Sequence, residues 1–235
     1  MAAMVELQPA FILRQRPYRE TSVLLQAFTR EYGIISVLAR GVRKAKSKLA
    51  GQLQPFYLLQ LSYLDPRELK ILTQAETAQD FNLQGLPLYC GFYLNELLQK
   101  CLHPHDPHPE LFDRYRQCLQ ALAAGGQIET ELRYFELDLL RETGFGADLS
   151  MDAGSGDLVG AGRRYDYIPG YGLTAAASGI ASGAVLTALN RRAALTAELQ
   201  AEAKLLLRRM LDECLAGQTL NSREVLAAML KFTAH

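Results

Sequence analysis

The chain of 235 residues has no run of about 18 apolar side chains, so no membrane-spanning helix is expected. Met1 to Pro9 holds no charged stretch followed by an apolar one, which removes a secretory signal from the reading and leaves the cytoplasm as the expected compartment. Cysteine is scarce and scattered. Cys90, Cys101, Cys118 and Cys214 form no CxxC pair, a spacing that argues against a disulfide framework or a zinc ribbon and fits small buried thiols. No GxSxG, P-loop or HExxH pattern occurs, so the chain offers no catalytic centre, and neither a metal nor a cofactor is expected. Net charge is missing too: 25 Lys and Arg offset 25 Asp and Glu.

What is present is an uneven distribution of that charge. Between Ala10 and Lys48 stand nine basic residues (Arg14, Arg16, Arg19, Arg30, Arg40, Arg43, Lys44, Lys46 and Lys48) and two acidic ones, Glu20 and Glu31, so the remainder is net acidic. A basic end on a chain of balanced charge suits one face for a polyanion and another for something else. That end reads as β. Phe11 to Arg14, Thr21 to Thr29, Gly33 to Ala39, Phe56 to Leu64 and Leu69 to Thr73 are short apolar or alternating segments, with turn signals at Arg16-Pro17, Tyr32-Gly33 and Asp65-Pro66. Five short strands in about 80 residues predict a small barrel, with the five-stranded OB-fold as the leading candidate.

From Leu86 the apolar period becomes helical. Tyr89, Phe92, Tyr93, Leu97 and Cys101 share one stripe; Leu111, Tyr115, Cys118, Leu119 and Leu122 make a second. Leu132, Phe135, Leu139 and Leu140 make a third, stopped by Gly144 and Gly146. Ala147 to Gly183 is rich in glycine and alanine and reads as an irregular insert, with a small hairpin around Arg164 to Leu173. Val185 to Leu189 begins a short helix. Leu199, Ala203, Leu206, Leu207, Met210, Leu211 and Cys214 predict a long one, ended by Gly217, and Asn221-Ser-Arg-Glu224 resembles a capping box opening a last helix. The expected fold is α+β: an N-terminal OB-fold β-barrel over residues 1–80, then an all-helical C-terminal domain over 81–235 with the irregular insert at 147–183.

Two basic segments carry the chemistry. In Arg40-Gly-Val-Arg43-Lys44-Ala-Lys46-Ser-Lys48, each cation that neutralises a phosphate releases a counterion, giving a salt-dependent and sequence-blind affinity. A solvated loop is the plain alternative; a place on an OB barrel favours nucleic acid. In Arg14-Gln-Arg16-Pro-Tyr18-Arg19, cations surround an aromatic ring, an arrangement suited to a stacked base with phosphates nearby; Tyr18 packed on the barrel is the other reading. His103-Pro-His105-Asp106-Pro-His108 contains metal-ligand residue types, but its prolines point to an exposed turn between helices and no second half of a site is apparent. Gly154-Ser-Gly156-Asp-Leu-Val159-Gly160 fails as a dinucleotide loop because Val159 stands where glycine is needed.

Several stretches resemble the RecO family. Arg16-Pro-Tyr-Arg-Glu-Thr-Ser22, Phe28-Thr-Arg-Glu-Tyr-Gly33, Ala39-Arg-Gly41 and Leu53-Gln-Pro-Phe56 are similar to its N-terminal barrel, and Leu88-Tyr-Cys-Gly-Phe-Tyr-Leu-Asn-Glu-Leu-Leu98 to its first helix. Pro109-Glu-Leu-Phe-Asp113, Arg133-Tyr-Phe-Glu-Leu137 and Asn221-Ser-Arg-Glu224 match later stretches in the same order. The resemblance implies a recombination mediator of DNA repair, nucleoid-associated in the cytoplasm. Such a protein binds single- and double-stranded DNA, anneals complementary strands and binds the acidic C-terminal tail of single-stranded DNA-binding protein (SSB). With its partner RecR it helps load RecA recombinase on SSB-coated strands. Two departures stand out. Many relatives carry a four-cysteine zinc site over the equivalent of Asp148 to Leu173, where this chain has no cysteine, so a zinc-free branch is implied. Tyr134 also stands where a basic residue usually follows Arg133.

Annealing makes and breaks no covalent bond; it needs two strands held close with their repulsion screened. Arg14, Arg16, Arg19, Arg40, Arg43, Lys44, Lys46 and Lys48 are expected to supply that screening through phosphate contacts, with Tyr18 as an aromatic contact. An SSB tail requires cations beside an apolar pocket, for which Leu111, Phe112, Arg114 and Tyr115 on the second helix and Arg133 on the third are the candidates; for Phe112, Tyr115 and Phe135 taken singly, plain core packing is the favoured reading. Two other classes stay open: an OB-containing RNA-binding protein, and a metal-dependent nuclease or hydrolase built on His103 to His108.

Overall fold

A computed structural model describes residues 3–65 and 69–225. By compactness the chain divides into two units, one of residues 1–124 with 220–235 and one of residues 125–219.

The first unit opens with β1 (Ala3–Tyr18), β2 (Ser22–Thr29), β3 (Gly33–Ala39), the short helix α1 (Leu49–Gln52), β4 (Tyr57–Asp65) and β5 (Leu69–Asp80). All neighbouring pairs are antiparallel except β3 with β5, and the order β1-β2-β3-β5-β4 closes on itself as a barrel. Closure depends on the length of β1. Its first half pairs with β4 from Ala3 to Ala10, its second half with β2 from Ala10 to Tyr18. Register shifts between Val5 and Gln8 and between Ile12 and Arg14 bend the strand. At the first of them Leu7 takes a left-handed φ of 49° and its amide donates to Ser62 Oγ at 3.1 Å. Residues 3–10 do not read as a strand in sequence because Glu6, Gln8 and Pro9 interrupt the apolar pattern.

Inward-facing side chains alternate along each strand, as the two-residue period requires. Ile12, Val23, Leu25, Ala27, Ile35, Val37, Ala39, Leu59, Leu61, Tyr63, Leu72 and Ala75 fill the interior, together with Val42 and Leu53 from the β3–β4 connection. Each large aliphatic side chain so buried contributes about 1.5–3 kcal/mol. Phe11, Leu13 and Phe28 are buried as well, on the outer side of the barrel, beneath α2 (Gly85–Cys101) and α3 (Pro109–Ala123). The Phe11 ring lies 5.2 Å from Phe112 and 4.9 Å from Tyr115, and Phe28 lies 5.4 Å from Phe112. Asn95 donates to the Leu13 carbonyl at 3.3 Å and accepts from the Tyr115 hydroxyl. A strand covered on both faces explains the unbroken apolar run from Ala10 to Leu13. The compact unit therefore runs through α3, past the change of period near residue 80.

The loop between α2 and α3 docks on the start of β3: the His105 amide donates to the Ile34 carbonyl at 3.1 Å. Gly33 sits in the left-handed region at φ +62°, and a side chain there would stand 2.1 Å from the Asp106 carbonyl oxygen. The chain returns to this unit at residue 220. The amides of Asn221 and Ser222 donate to the Glu96 carboxylate at 3.0 and 2.8 Å, so the orphan donors of the last helix, whose residues 221–225 are described, are satisfied by a side chain of α2. The expected turn at Asp65-Pro66 lies outside the described residues.

The second unit corrects the all-helical expectation. It comprises α4 (Ile128–Glu142), β6 (Arg164–Ile168), β7 (Gly172–Ala175), β8 (Ala181–Ser182), α5 (Gly183–Asn190) and α6 (Ala197–Cys214), with the strands in the order β7-β6-β8. Tyr165, Tyr167 and Leu173 are buried from this small sheet, which is too short to impose a strong period on a glycine-rich sequence. Side chains stiffen the insert. Asp152 accepts from the amides of Gly154 at 2.9 Å and Ala175 at 3.2 Å, and the Tyr165 hydroxyl accepts from the Gly160 amide at 2.8 Å. Glu202 on α6 accepts from the Ser182 amide at 2.7 Å and pairs with Arg164 at 3.1 Å. Gly183 approaches the Gly160 carbonyl so closely that a side chain there would lie 2.1 Å from its oxygen.

Candidate nucleic-acid interface

Strand direction decides which basic residues meet. Tyr18 pairs with Ser22 across the β1–β2 turn, and Val23 pairs with Ala39, so the Arg40 to Lys48 loop leaves β3 beside that turn. The two segments are joined. The Arg43 amide donates to the Thr21 carbonyl at 2.9 Å, and the Arg43 guanidinium donates to the Arg19 carbonyl at 3.2 Å. Further along, Lys44 donates to the Gly41 carbonyl and Ser47 to the Lys44 carbonyl, so the loop advances through successive turns.

Arg14, Arg16, Arg19, Arg40, Arg43, Lys44, Lys46 and Lys48 are all exposed, and among the described residues none of them pairs with a carboxylate. Eight cations without a carboxylate partner, on the outer face of β1, the β1–β2 turn and the loop after β3, raise the local positive potential of this part of the barrel. Tyr18 is half-buried, and the Arg19 guanidinium lies 5.4 Å from the centre of its ring. That cation already covers part of one ring face, so a base stacking there would share it.

Arg30 does not belong to this group. It lies in the β2–β3 turn at the other end of β2, where it pairs with Asp113 at 3.0 Å and Glu31 at 2.6 Å, and these partners raise its pKa, the Asp113 hydrogen bond most. Residues that the sequence pattern left out adjoin the site instead. Register aligns Arg16 with Leu24, Leu38 and Ile71 in one row, and Arg14 with Gln26, Ser36 and Leu69 in the next. Both rows face outward, opposite the buried Val23, Leu25, Ile35 and Val37. In sequence Leu24 is hidden inside the apolar run Val23-Leu24-Leu25; only the pairing reveals its face.

The candidates on the helices divide between the two units. In the first, Leu111, Phe112 and Tyr115 are 1%, 2% and 0% exposed, and the rings of Phe112 and Tyr115 pack on Phe11 and Phe28 of the barrel, so the three offer no open wall to a ligand. Arg114 is half-buried and donates to Gln117 at 3.3 Å. In the second unit Arg133 is buried on α4 and pairs with the buried Glu136 at 2.6 Å. His103 to His108 forms the docked loop already described, with His108 and Asp106 3.5 Å apart. Among the described residues no group of three or more metal-ligating side chains comes together, and no helix is long and apolar enough to cross a membrane.

Residues 3–81 match the family model for "Recombination protein O N terminal", and residues 83–233 match "Recombination protein O C terminal". The chain is similar to the "DNA repair protein RecO" of Methylococcus capsulatus, at 44% identity over 224 residues covering 94% of this chain and 93% of that protein. It is similar to the "DNA repair protein RecO" of Halorhodospira halophila, at 39% over 230 residues covering 94% and 97%. The protein of that description from Haemophilus influenzae is 44% identical over 163 residues, 69% of each chain.

Proposed function

The chain belongs to the RecO family, and from that premise we propose that it is a non-enzymatic recombination mediator of DNA repair, acting at the nucleoid. It binds single- and double-stranded DNA, anneals complementary strands and, with RecR, helps RecA displace SSB from single strands. The observation that carries this reading is the junction of the two basic segments at Arg43, which sets the exposed cations of the loop after β3 beside the β1–β2 turn that continues Arg14 and Arg16. We read the barrel as an OB-fold, a frame that binds nucleic acid through its loops and one sheet face. Contacts to phosphate screen the repulsion between two strands without reading their sequence.

For the SSB tail the candidate cations are Arg114 and Arg133, each considered within its own unit. Leu111, Phe112 and Tyr115 serve such a site by fixing the position of α3 on the barrel rather than by touching the tail.

The test is annealing of SSB-coated complementary strands, followed by fluorescence across a salt series. Wild type should anneal, and a Lys44/Lys46/Lys48→Ala variant should lose DNA affinity with a salt slope shallower by about two, at roughly 0.7 per single-strand contact. The Arg133→Met/Glu136→Leu variant, which removes the cation without leaving its buried partner charged, should fail only when SSB carries its tail. A wild-type protein that neither binds nor anneals single strands removes the proposal. Preference for RNA over DNA of equal length would turn the same surface toward RNA handling.

A further inference from the structure

The second unit contains a cavity of about 470 Å³ far from the barrel in sequence and unrelated to the basic residues. Its walls are the turn after α4 (Gly144 to Asp148), the loop from Met151 to Gly156, the β6–β7 hairpin and Glu213 on the last turn of α6. Lysine, arginine and histidine are absent from this lining, whereas Asp148, Asp152 and Glu213 contribute three carboxylates. Hydrogen bonds hold these groups in place. Ser150 binds Asp148 through its hydroxyl and amide, the Gly154 and Ala175 amides bind Asp152, and the Tyr167 hydroxyl donates to Glu213. The donors stabilise the ionised forms: the Ser150 hydroxyl lowers the pKa of Asp148, and the Gly154 amide that of Asp152. Among the described residues none of the three carboxylates forms an ion pair. The three carboxylates are thus held by neutral donors and have no cationic partner among the described residues.

The rest of the lining is aromatic and apolar. Phe145, Met151, Tyr167, Tyr171 and Leu173 contribute to it, and Tyr171 and Met151 are 57% and 41% exposed at its edge. A compact hydrated ammonium gains little from such walls. A guanidinium is planar and weakly hydrated, stacks on a tyrosine face and donates in a fork to a carboxylate. We propose that this cavity receives an arginine side chain presented by a protein partner, its guanidinium between Tyr171 and the Glu213 carboxylate. The glycines at positions 144, 146, 156, 170 and 172 leave the rim without side chains, so a partner backbone can approach closely. The site is independent of DNA binding and would remain if the barrel bound no nucleic acid.

The full chain, labelled at methionine methyls and tyrosine rings, is titrated by NMR with acetyl-Gly-Arg-Gly-amide, its lysine counterpart and its aspartate counterpart. The arginine peptide should shift Met151, Tyr167 and Tyr171 saturably, bind several-fold more tightly than the lysine peptide, and lose about tenfold in affinity on Glu213→Gln. The aspartate peptide should shift none of them. Tyr171→Ala, at an exposed position that the fold does not need, should weaken binding about threefold and serves if Glu213→Gln disturbs Tyr167. The proposal is overturned if the arginine peptide leaves these signals unmoved, if the aspartate peptide matches it, or if Tyr171→Ala binds unchanged.

Discussion

The guanidinium of Arg43 donates a hydrogen bond to the backbone carbonyl of Arg19 at 3.2 Å. Two segments separated by the whole β2–β3 hairpin are thereby held side by side, and the flexible side chain of a cation becomes a structural tie. Arg43 therefore has two parts: it places the loop, and it adds charge to it.

These parts separate by substitution. Arg43→Lys keeps the charge and loses the forked donor; Arg43→Ala loses both. In a salt titration of single-strand binding, Arg43→Ala should lower the slope by about 0.7 and Arg43→Lys should leave it unchanged while weakening affinity a few-fold. Equal affinities for Arg43→Lys and wild type would mean the tie does not organise the site. Neither exposed substitution should alter stability by more than roughly 0.5 kcal/mol.

Gly33→Ala forces a side chain into a left-handed φ and against the Asp106 carbonyl. Strain and overpacking together should cost roughly 2–4 kcal/mol, read as a lowered denaturant midpoint by far-UV circular dichroism. The amide of His105, bonded to Ile34, should lose hydrogen-exchange protection first.

Phe112→Ala should destabilise the protein by about 3–5 kcal/mol, because its ring is 2% exposed between Phe11 and Phe28. If stability instead falls by less than about 1 kcal/mol while SSB-tail binding is lost, Phe112 is a ligand contact rather than core.

Arg133 and Glu136 form a buried pair at 2.6 Å. Removing only the cation leaves a buried carboxylate uncompensated, so Arg133→Ala should cost about 3–5 kcal/mol, whereas an Arg133→Met/Glu136→Leu double substitution should cost much less. Tail binding measured on the double variant separates recognition from unfolding: binding at the wild-type level would remove Arg133 from the tail site.

Asp152 supplies an acid-sensitive element. Its pKa is lowered in the folded state, chiefly by the Gly154 amide, so the unfolded chain takes up the proton more readily. The resulting stability is present at neutral pH and is lost as pH falls below about 4, through the folded value. Between pH 6 and pH 3 the wild-type Tm should fall further than that of Asp152→Asn, and the Gly154 and Ala175 amides should lose exchange protection in the variant at neutral pH. Parallel Tm curves would show that the carboxylate does not hold the insert.

Much of the fold was legible in the sequence where a period repeats without interruption. Four strands and the helical stripes from Tyr89 to Cys101, Leu111 to Leu122 and Leu199 to Cys214 were read from residue type alone, because a half-buried strand or helix must place apolar side chains at fixed intervals. The first half of β1 escaped because bulges change its register and Pro9 breaks its pattern. The small sheet from Arg164 to Ser182 escaped, apart from its hairpin, because so few residues carry no period. Of the candidate site, the sequence supplied eight candidate cations with Arg30 outside them, but not the neighbours that give the division a reason. Arg30 carries the same charge as Arg40, yet it lies at the opposite end of β2 and already has two acidic partners.

Composition, period and charge thus determined by themselves that this is an α+β chain with a basic N-terminal β region, and order of motifs pointed to its family. These are local or additive properties, summed along the chain without knowing what touches what. Only the tertiary structure decided that Arg43 joins the two basic segments, that Leu111, Phe112 and Tyr115 are spent on packing, and that Arg133 is buried beside Glu136. Each of those outcomes depends on residues brought together by strand pairing or helix packing, and sequence spacing carries no record of such neighbours.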